Sequence, residues 1–302
     1  MLTASPLHRF TASPPVFLAL DLGNSSAKVG LFDAGALPEA EPVCTFSLKS
    51  LSAAKLETAL SRVDVSPDAI GAAGLCSVVP KQTVRATEAV EAVCGVTPVV
   101  VRADAPLPIG MAYETPHTLG ADRIAAAAAA HVLHGRDEAG LARPTLVIDA
   151  GTAVTMEVVD AAGTYLGGAI LPGLRLQRSA LARGTAQLPA VPPVAPPSAI
   201  GTSTTTALQA GIVLGLIGAL DGLLARATDE LDRERAGGPV VAGSPVVAGS
   251  PVVTGVPVVT GVPVVIATGG SAPLLARHLD RIDVLAPHLV LQGVRLLTAP
   301  SS

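Results

Sequence analysis

The sequence predicts an α/β fold of two similar lobes, and three observations carry that prediction. A chain of 302 residues has room for two lobes of ordinary domain size, each with its own core. Strand-like and helix-like signals alternate along it, the pattern of layered α/β folds. A strand–turn–strand pattern also occurs twice. Val16–Leu20, the turn Asp21-Leu22-Gly23-Asn24-Ser25-Ser26 and Val29–Phe32 form the first copy. Leu146–Ile148, the turn Asp149-Ala150-Gly151-Thr152-Ala153 and Met156–Val159 form the second, which points to an internal duplication.

Between the two hairpins, Ala53–Arg62 is amphipathic, Ala69–Ser77 is strand-like, Lys81–Val93 is helix-like and Pro98–Val101 is again strand-like. An Ala-rich helix follows Gly120 and runs toward Leu133, since alanine is the strongest helix former. His131 and His134 lie three apart on it with no third metal ligand nearby, so they are expected to face solvent. After the second hairpin come Tyr165–Gly173, a helix-like Leu174–Arg183 and a Pro-rich loop at Pro189–Pro197. Val264–Ala267 reads as a strand that enters Thr268-Gly269-Gly270, with a final helix beyond. The expected organisation is a disordered N-terminal extension at 1–15, outside the fold, one lobe over 16–140 and a second over 141–302.

Pro239–Val262 interrupts the second lobe with four six-residue units, PVVAGS twice and PVVTGV twice. It is expected to be an extended, dispensable surface loop. Its units carry no acid, base or metal ligand, and a proline at every sixth position removes donors that a central sheet needs. A stacked hexapeptide repeat needs more units than this stretch supplies.

Composition narrows the function. The chain is 49% hydrophobic and 15% charged with a net charge of -4, which fits neither a disordered chain nor a nucleic-acid binder. Trp is absent and aromatics make up 2%, so there is little material for base-stacking surfaces. Cys44, Cys76 and Cys94 lack CxxC spacing and are odd in number, as expected of a protein of the reducing cytoplasm. The first fifteen residues lack the apolar core of a signal peptide. Ala207–Leu224 is the most membrane-like window, but Asp221 and several glycines interrupt it, and it is expected to be a buried or interface helix.

The chemistry-bearing residues lie in the turns. Each Asp-x-Gly-[Asn/Thr] turn places a carboxylate beside hydroxyl and backbone N–H donors, with glycine letting a ligand come close. Either turn alone is also an ordinary Asx-type turn. Both together, followed by a strand ending in Thr268-Gly269-Gly270, form an ordered trio that resembles the phosphate 1, phosphate 2 and adenosine motifs of the actin, sugar kinase and Hsp70 superfamily. That resemblance implies a duplicated actin-like (ribonuclease H-like) fold, with mixed sheets flanked by helices and two lobes that close on ATP.

The segment Tyr113-Glu114-Thr115-Pro116-His117-Thr118-Leu119-Gly120-Ala121-Asp122-Arg123 is more specific. It resembles the Gly-x-Asp-Arg segment of the type III pantothenate kinases, a family that includes the Bvg accessory factor-like proteins. Asp149–Thr155, Leu166–Gly173, Thr185–Pro189, Ile200–Thr204 and Gln209–Gly211 match the same family in order and spacing. The resemblance implies ATP-dependent phosphorylation of pantothenate, the first step of coenzyme A biosynthesis, by a cytoplasmic homodimer. It implies that Asp122 accepts the proton of the pantothenate hydroxyl within a substrate loop of Gly120, Ala121, Asp122 and Arg123. Tyr113 would touch the substrate as well, as would Thr204 from the second subunit. Asp21, Leu22, Gly23, Asn24, Ser25, Ser26, Ala27 and Lys28, with Thr152, would bind ATP and its Mg²⁺. Asp149 would help hold a monovalent cation, K⁺ or NH₄⁺. Ser25 stands where the family usually carries Thr, which keeps the hydroxyl.

The residue types suit these roles. Asp122 opens a predicted helix, whose dipole favours the ionised form a base needs. The same position is common for stability alone. Arg123 offers a bidentate grip on a carboxylate, as an anionic substrate requires. The competing readings are an actin-fold kinase for another small acid, which the Gly120–Arg123 segment opposes, and a non-catalytic regulator of the same fold. An Hsp70-like chaperone would need a further domain for which the chain has no room.

Overall fold

A computed structural model describes residues 3–4, 15–235 and 261–300. The residues group into two compact units. The first comprises Met1–Gly110, Thr115–His134 and His288–Ser302, and the second comprises Met111–Glu114 and Gly135–Pro287. The long Val16–Leu22 run (β2) is buried at every position because it is a central strand with helices over both faces. Around it the first unit orders its sheet as β1 (Thr3–Ala4), β4 (Cys44–Leu48), β3 (Ala27–Asp33), β2, β5 (Ile70–Ser77) and β6 (Val99–Val100). The β2–β3 and β3–β4 pairs are antiparallel, and β5 runs parallel to both β2 and β6.

The second unit repeats this plan. Its sheet runs β12 (Val284–Leu285), β11 (Val264–Thr268), β8 (Thr145–Ala150), β9 (Ala153–Val159), β10 (Thr164–Pro172) and β7 (Gly110–Met111). Strands β8 to β12 match β2 to β6 in order and in every parallel or antiparallel choice. The duplication read from two hairpins therefore extends to whole sheets, including β4, β10 and β12, which the sequence pattern did not assign.

On one face of the first sheet lie α1 (Ala53–Arg62) and α2 (Pro80–Cys94), whose Leu56, Leu60, Ala86 and Val90 share a core with Leu18, Leu20 and Leu22. On the other lie α3 (Ala121–His134) and α8 (Leu289–Thr298). Ala125–Ala130 are all buried, so the alanine run supplies a small-residue packing face as well as helix propensity. His131 and His134 are half-buried rather than solvent-facing, because the helix is covered to its last turn.

The second lobe was expected to run to the end of the chain. Instead α8 clusters with the first unit, where Leu289, Val290, Leu291 and Val294 are buried. Arg295 fixes it there, donating to the carbonyls of Ala36 and Leu37 and stacking over the Phe32 ring.

In the second unit α5 (Thr204–Gln209), a π-helical turn (Ala210–Leu214) and α6 (Gly215–Arg235) form one continuous rod. Ser203 and Thr206 cap its start reciprocally. The rod is long and apolar enough to cross a membrane by length and composition. One side, with Leu208, Ile212, Leu216, Leu220 and Leu224, belongs to the core formed with β8, β9 and β11. On the other side Gly211, Gly215, Gly218 and Gly222 are exposed, with open space where a Cβ would project.

The N-terminal extension was expected to stay outside the fold, but Thr3–Ala4 pair with β4, whose outer edge offers backbone partners; most of the rest lies outside the described residues. So does the hexapeptide repeat up to residue 260; at its end, Gly261 N–H donates to Ala142 O at 2.9 Å.

Candidate active site

The alternation of β2 decides which residues leave the core. Leu18, Leu20 and Leu22 face α1 and α2, so Asp21 points to the side covered by α3 and α8. Register sets Asp21 between Lys28 of β3 and Cys76 of β5. Lys28 Nζ lies 3.4 Å from Asp21 Oδ2, and the Cys76 thiol donates to Asp21 Oδ1 at 3.5 Å. Beyond Asp21 the chain turns tightly, with Gly23 N–H donating to Ser26 O at 3.1 Å, and Asn24 and Ser25 stand exposed at the tip. Ala27 is buried where the hairpin re-enters the sheet.

Asp122 reaches the same neighbourhood from the start of α3. Its Oδ1 accepts from Arg123 N–H at 2.9 Å, and the first helical bond runs from Ile124 N–H to Gly120 O at 3.1 Å. A Cβ on Gly120 would come within 2.5 Å of Asp122 Oδ1, so the residue before Ala121 has to be small for the carboxylate to adopt this pose. Burial pushes the Asp122 carboxyl above the ordinary aspartate value, and the nearby Asp21 charge pushes the same way. The Arg123 N–H bond opposes this but does not outweigh it. The helix dipole was expected to favour ionisation; desolvation overrides it here. Cys76, fully buried near both aspartates, is held well above the usual thiol range, chiefly by burial.

The second unit holds the other predicted residues. Asp149 is the penultimate residue of β8, and Gly269, at φ 88°, passes directly over it. A Cβ on Gly269 would lie 2.4 Å from Asp149 Oδ1 and 2.8 Å from the Ala150 backbone, so only glycine serves in this Thr-Gly-Gly turn. Thr152 is exposed at the β8–β9 tip, where its carbonyl accepts from Gly173 N–H at 3.0 Å. Thr204 is exposed in the first turn of α5.

Tyr113 tilts at 59° against Tyr165, with ring centroids 5.8 Å apart, and covers Gly167. Ala112 N–H donates to Tyr165 O at 3.0 Å, and the Tyr165 hydroxyl donates to the buried Glu157 Oε2 at 2.7 Å. A register shift in β10 between Tyr165 and Gly167 shapes this seat. Cys76 and Tyr165 were missed as site neighbours in the sequence. Neither has a local signal, since each acquires its partner through strand register.

In unit 1 the structure thus brings together Asp21, Lys28, Gly120, Asp122 and Arg123, and in unit 2 it aligns Asp149 with the Gly269 turn. Asp21 paired with Lys28 in a hairpin rich in donors, with a second carboxylate, Asp122, near Asp21, suits phosphate and a hard divalent ion. Such an ion keeps most of its waters and needs few protein oxygens. Among the described residues no group of three or more His, Cys, Asp or Glu forms a closed metal cage.

Comparison with known proteins agrees with this chemistry. The chain is 34% identical to type III pantothenate kinase 1 of Symbiobacterium thermophilum, over 93% of this chain and 96% of that one. It is also 34% identical to the type III pantothenate kinase of Akkermansia muciniphila, over 93% and 97% of the two chains. Among solved structures, a Baf family protein of Campylobacter jejuni shares the fold with a TM-score of 0.52 at 17% identity, over 93% of this chain and 96% of that one. Residues 17–226 match the family model described as type III pantothenate kinase, and the chain belongs to that family.

Proposed function

We propose that the protein transfers the γ-phosphoryl group of ATP to the primary hydroxyl of pantothenate, giving 4′-phosphopantothenate and ADP. The observation that supports this most directly is the half-buried Asp122, near enough to Asp21 for that charge to raise its pKa, inside a segment of the matched family, with Lys28 paired to Asp21. Asp122 accepts the hydroxyl proton as the oxygen attacks phosphorus. Arg123 pairs with the substrate carboxylate, and Tyr113 and Thr204 complete its binding. The hairpin from Asp21 to Lys28 and Thr152 hold the nucleotide, since phosphoryl transfer depends on positioning and charge neutralisation more than on covalent work by the protein. Mg²⁺ bound with ATP would neutralise charge on the phosphates, with Asp21 as the carboxylate that holds it. Asp149, under the Gly269 turn, is the carboxylate suited to a monovalent cation.

The direct test is ATP-dependent phosphorylation of pantothenate by purified protein, with K⁺, NH₄⁺ or neither. Turnover that rises with K⁺ is the expected result. No turnover in any condition rejects the kinase reading in favour of a non-catalytic regulator. The pH profile adds a check on Asp122. A base must be ionised, and burial raises its pKa above the ordinary 3.8, so kcat/KM should fall on an acid limb lying above that value. The limb should vanish from the residual activity of Asp122→Asn.

We also propose a homodimer, supported by the exposed glycine side of the α6 rod. A helix face without polar side chains is seldom left to water. If Thr204 serves the partner's site, mixing Asp122→Asn protein with a Thr204→Val variant should restore activity. Random reassortment gives one intact site in half of the dimers, about a quarter of wild-type turnover. A fully active monomer in sedimentation would remove both claims.

A further inference from the structure

We propose that Cys76 is a positioning residue for the nucleotide site: its thiol holds one oxygen of Asp21 so that the other is presented toward Lys28 and the phosphates. This rests on the nucleotide role given to Asp21 above. The geometry is a row across three neighbouring strands. Lys28, Asp21 and Cys76 occupy directly paired positions on β3, β2 and β5, and side chains at paired positions share a face of the sheet. Each neighbour takes a different carboxylate oxygen. Cys76 Sγ donates to Oδ1 at 3.5 Å, and Lys28 Nζ lies 3.4 Å from Oδ2.

The two neighbours differ in kind. Lys28 has a side chain 38% exposed and is able to follow a ligand, whereas Cys76 is wholly buried on a central strand and cannot move without the sheet. A carboxylate gripped only by a flexible ammonium retains rotation about its terminal bond. A donor fixed in the sheet removes that freedom before the nucleotide arrives, so less ordering remains to be done on binding. The thiol is a weak donor, which lets it orient Oδ1 without competing strongly for the charge on Oδ2.

The test measures MgATP affinity by calorimetry, with pantothenate KM and melting temperature recorded alongside, for Cys76→Ala, Cys76→Ser and Cys94→Ala. Cys94 is a second buried thiol, in α2 and away from Asp21, and controls for the loss of a buried sulfur. Cys76→Ala is expected to weaken MgATP binding about tenfold, in keeping with loss of one hydrogen bond to a charged group. Cys76→Ser, which keeps a donor, should stay within about threefold of wild type, and Cys94→Ala should bind MgATP normally whatever its melting temperature. Pantothenate KM should move in none of them. Equal affinity loss in the alanine and serine variants, or none in the alanine variant, overturns the proposal. Wild-type protein that binds MgATP but does not phosphorylate pantothenate refutes the substrate assignment and leaves this inference standing. Protein that binds no MgATP removes both.

Discussion

Asp122→Asn is expected to lower pantothenate turnover by about 10²–10⁴-fold, the usual contribution of a general base. The amide keeps the size of the carboxyl and one oxygen to accept from Arg123 N–H, so α3 should start as before. MgATP affinity should change little. Stability gives an independent reading. Because the folded pKa of Asp122 is raised, the folded protein binds more protons than the unfolded chain between the ordinary value of 3.8 and the raised value. Stability therefore falls as pH rises through that window, and the charged form is a net burden at neutral pH. Removing the charge should leave the melting temperature at pH 7 unchanged or higher. Near-normal turnover would exclude Asp122 as the base. A large drop in melting temperature would show that the carboxylate had a structural role instead.

Gly293→Val should destabilise the first unit by about 3 kcal/mol, the upper part of the range for overpacked cores. A Cβ at this position would lie 2.0 Å from Ala125 O and 2.5 Å from Ala125 C, both backbone atoms of α3 that cannot swing aside. The helices would have to separate, opening the layer that also holds Leu289, Val290 and Val294 against the sheet. At roughly 2–4 °C per kcal/mol for units of this size, thermal unfolding should begin about 6–12 °C lower. Since α3 carries Asp122 in its first turn, turnover of the surviving folded protein should fall as well. Unfolding at the wild-type temperature would show that α8 is not docked closely on α3.

How much of this was legible beforehand depends on the range of the interaction involved. Amphipathic and apolar runs gave α1 as Ala53–Arg62, and gave β5, α2, α4 (Leu174–Gly184) and β11 to within a residue or two, because periodicity and propensity are local properties. The two Asp-x-Gly turns were equally local, and they marked the hairpin tips at Asp21 and Asp149. Cys44–Leu48 has no comparable pattern: its exposure is mixed and it forms a strand because β3 offers a partner edge.

The family and its order of motifs could be read from the sequence alone, since turn chemistry and motif spacing are written along the chain. Tertiary structure alone decided that Cys76 shares a carboxylate with Lys28, that Tyr113 rests against Tyr165, and that α8 belongs to the first unit. It also decided the balance at Asp122. A helix start announces a favourable dipole in sequence, but desolvation depends on what packs around the carboxyl, and that comes from α3 and the neighbouring strands meeting in space.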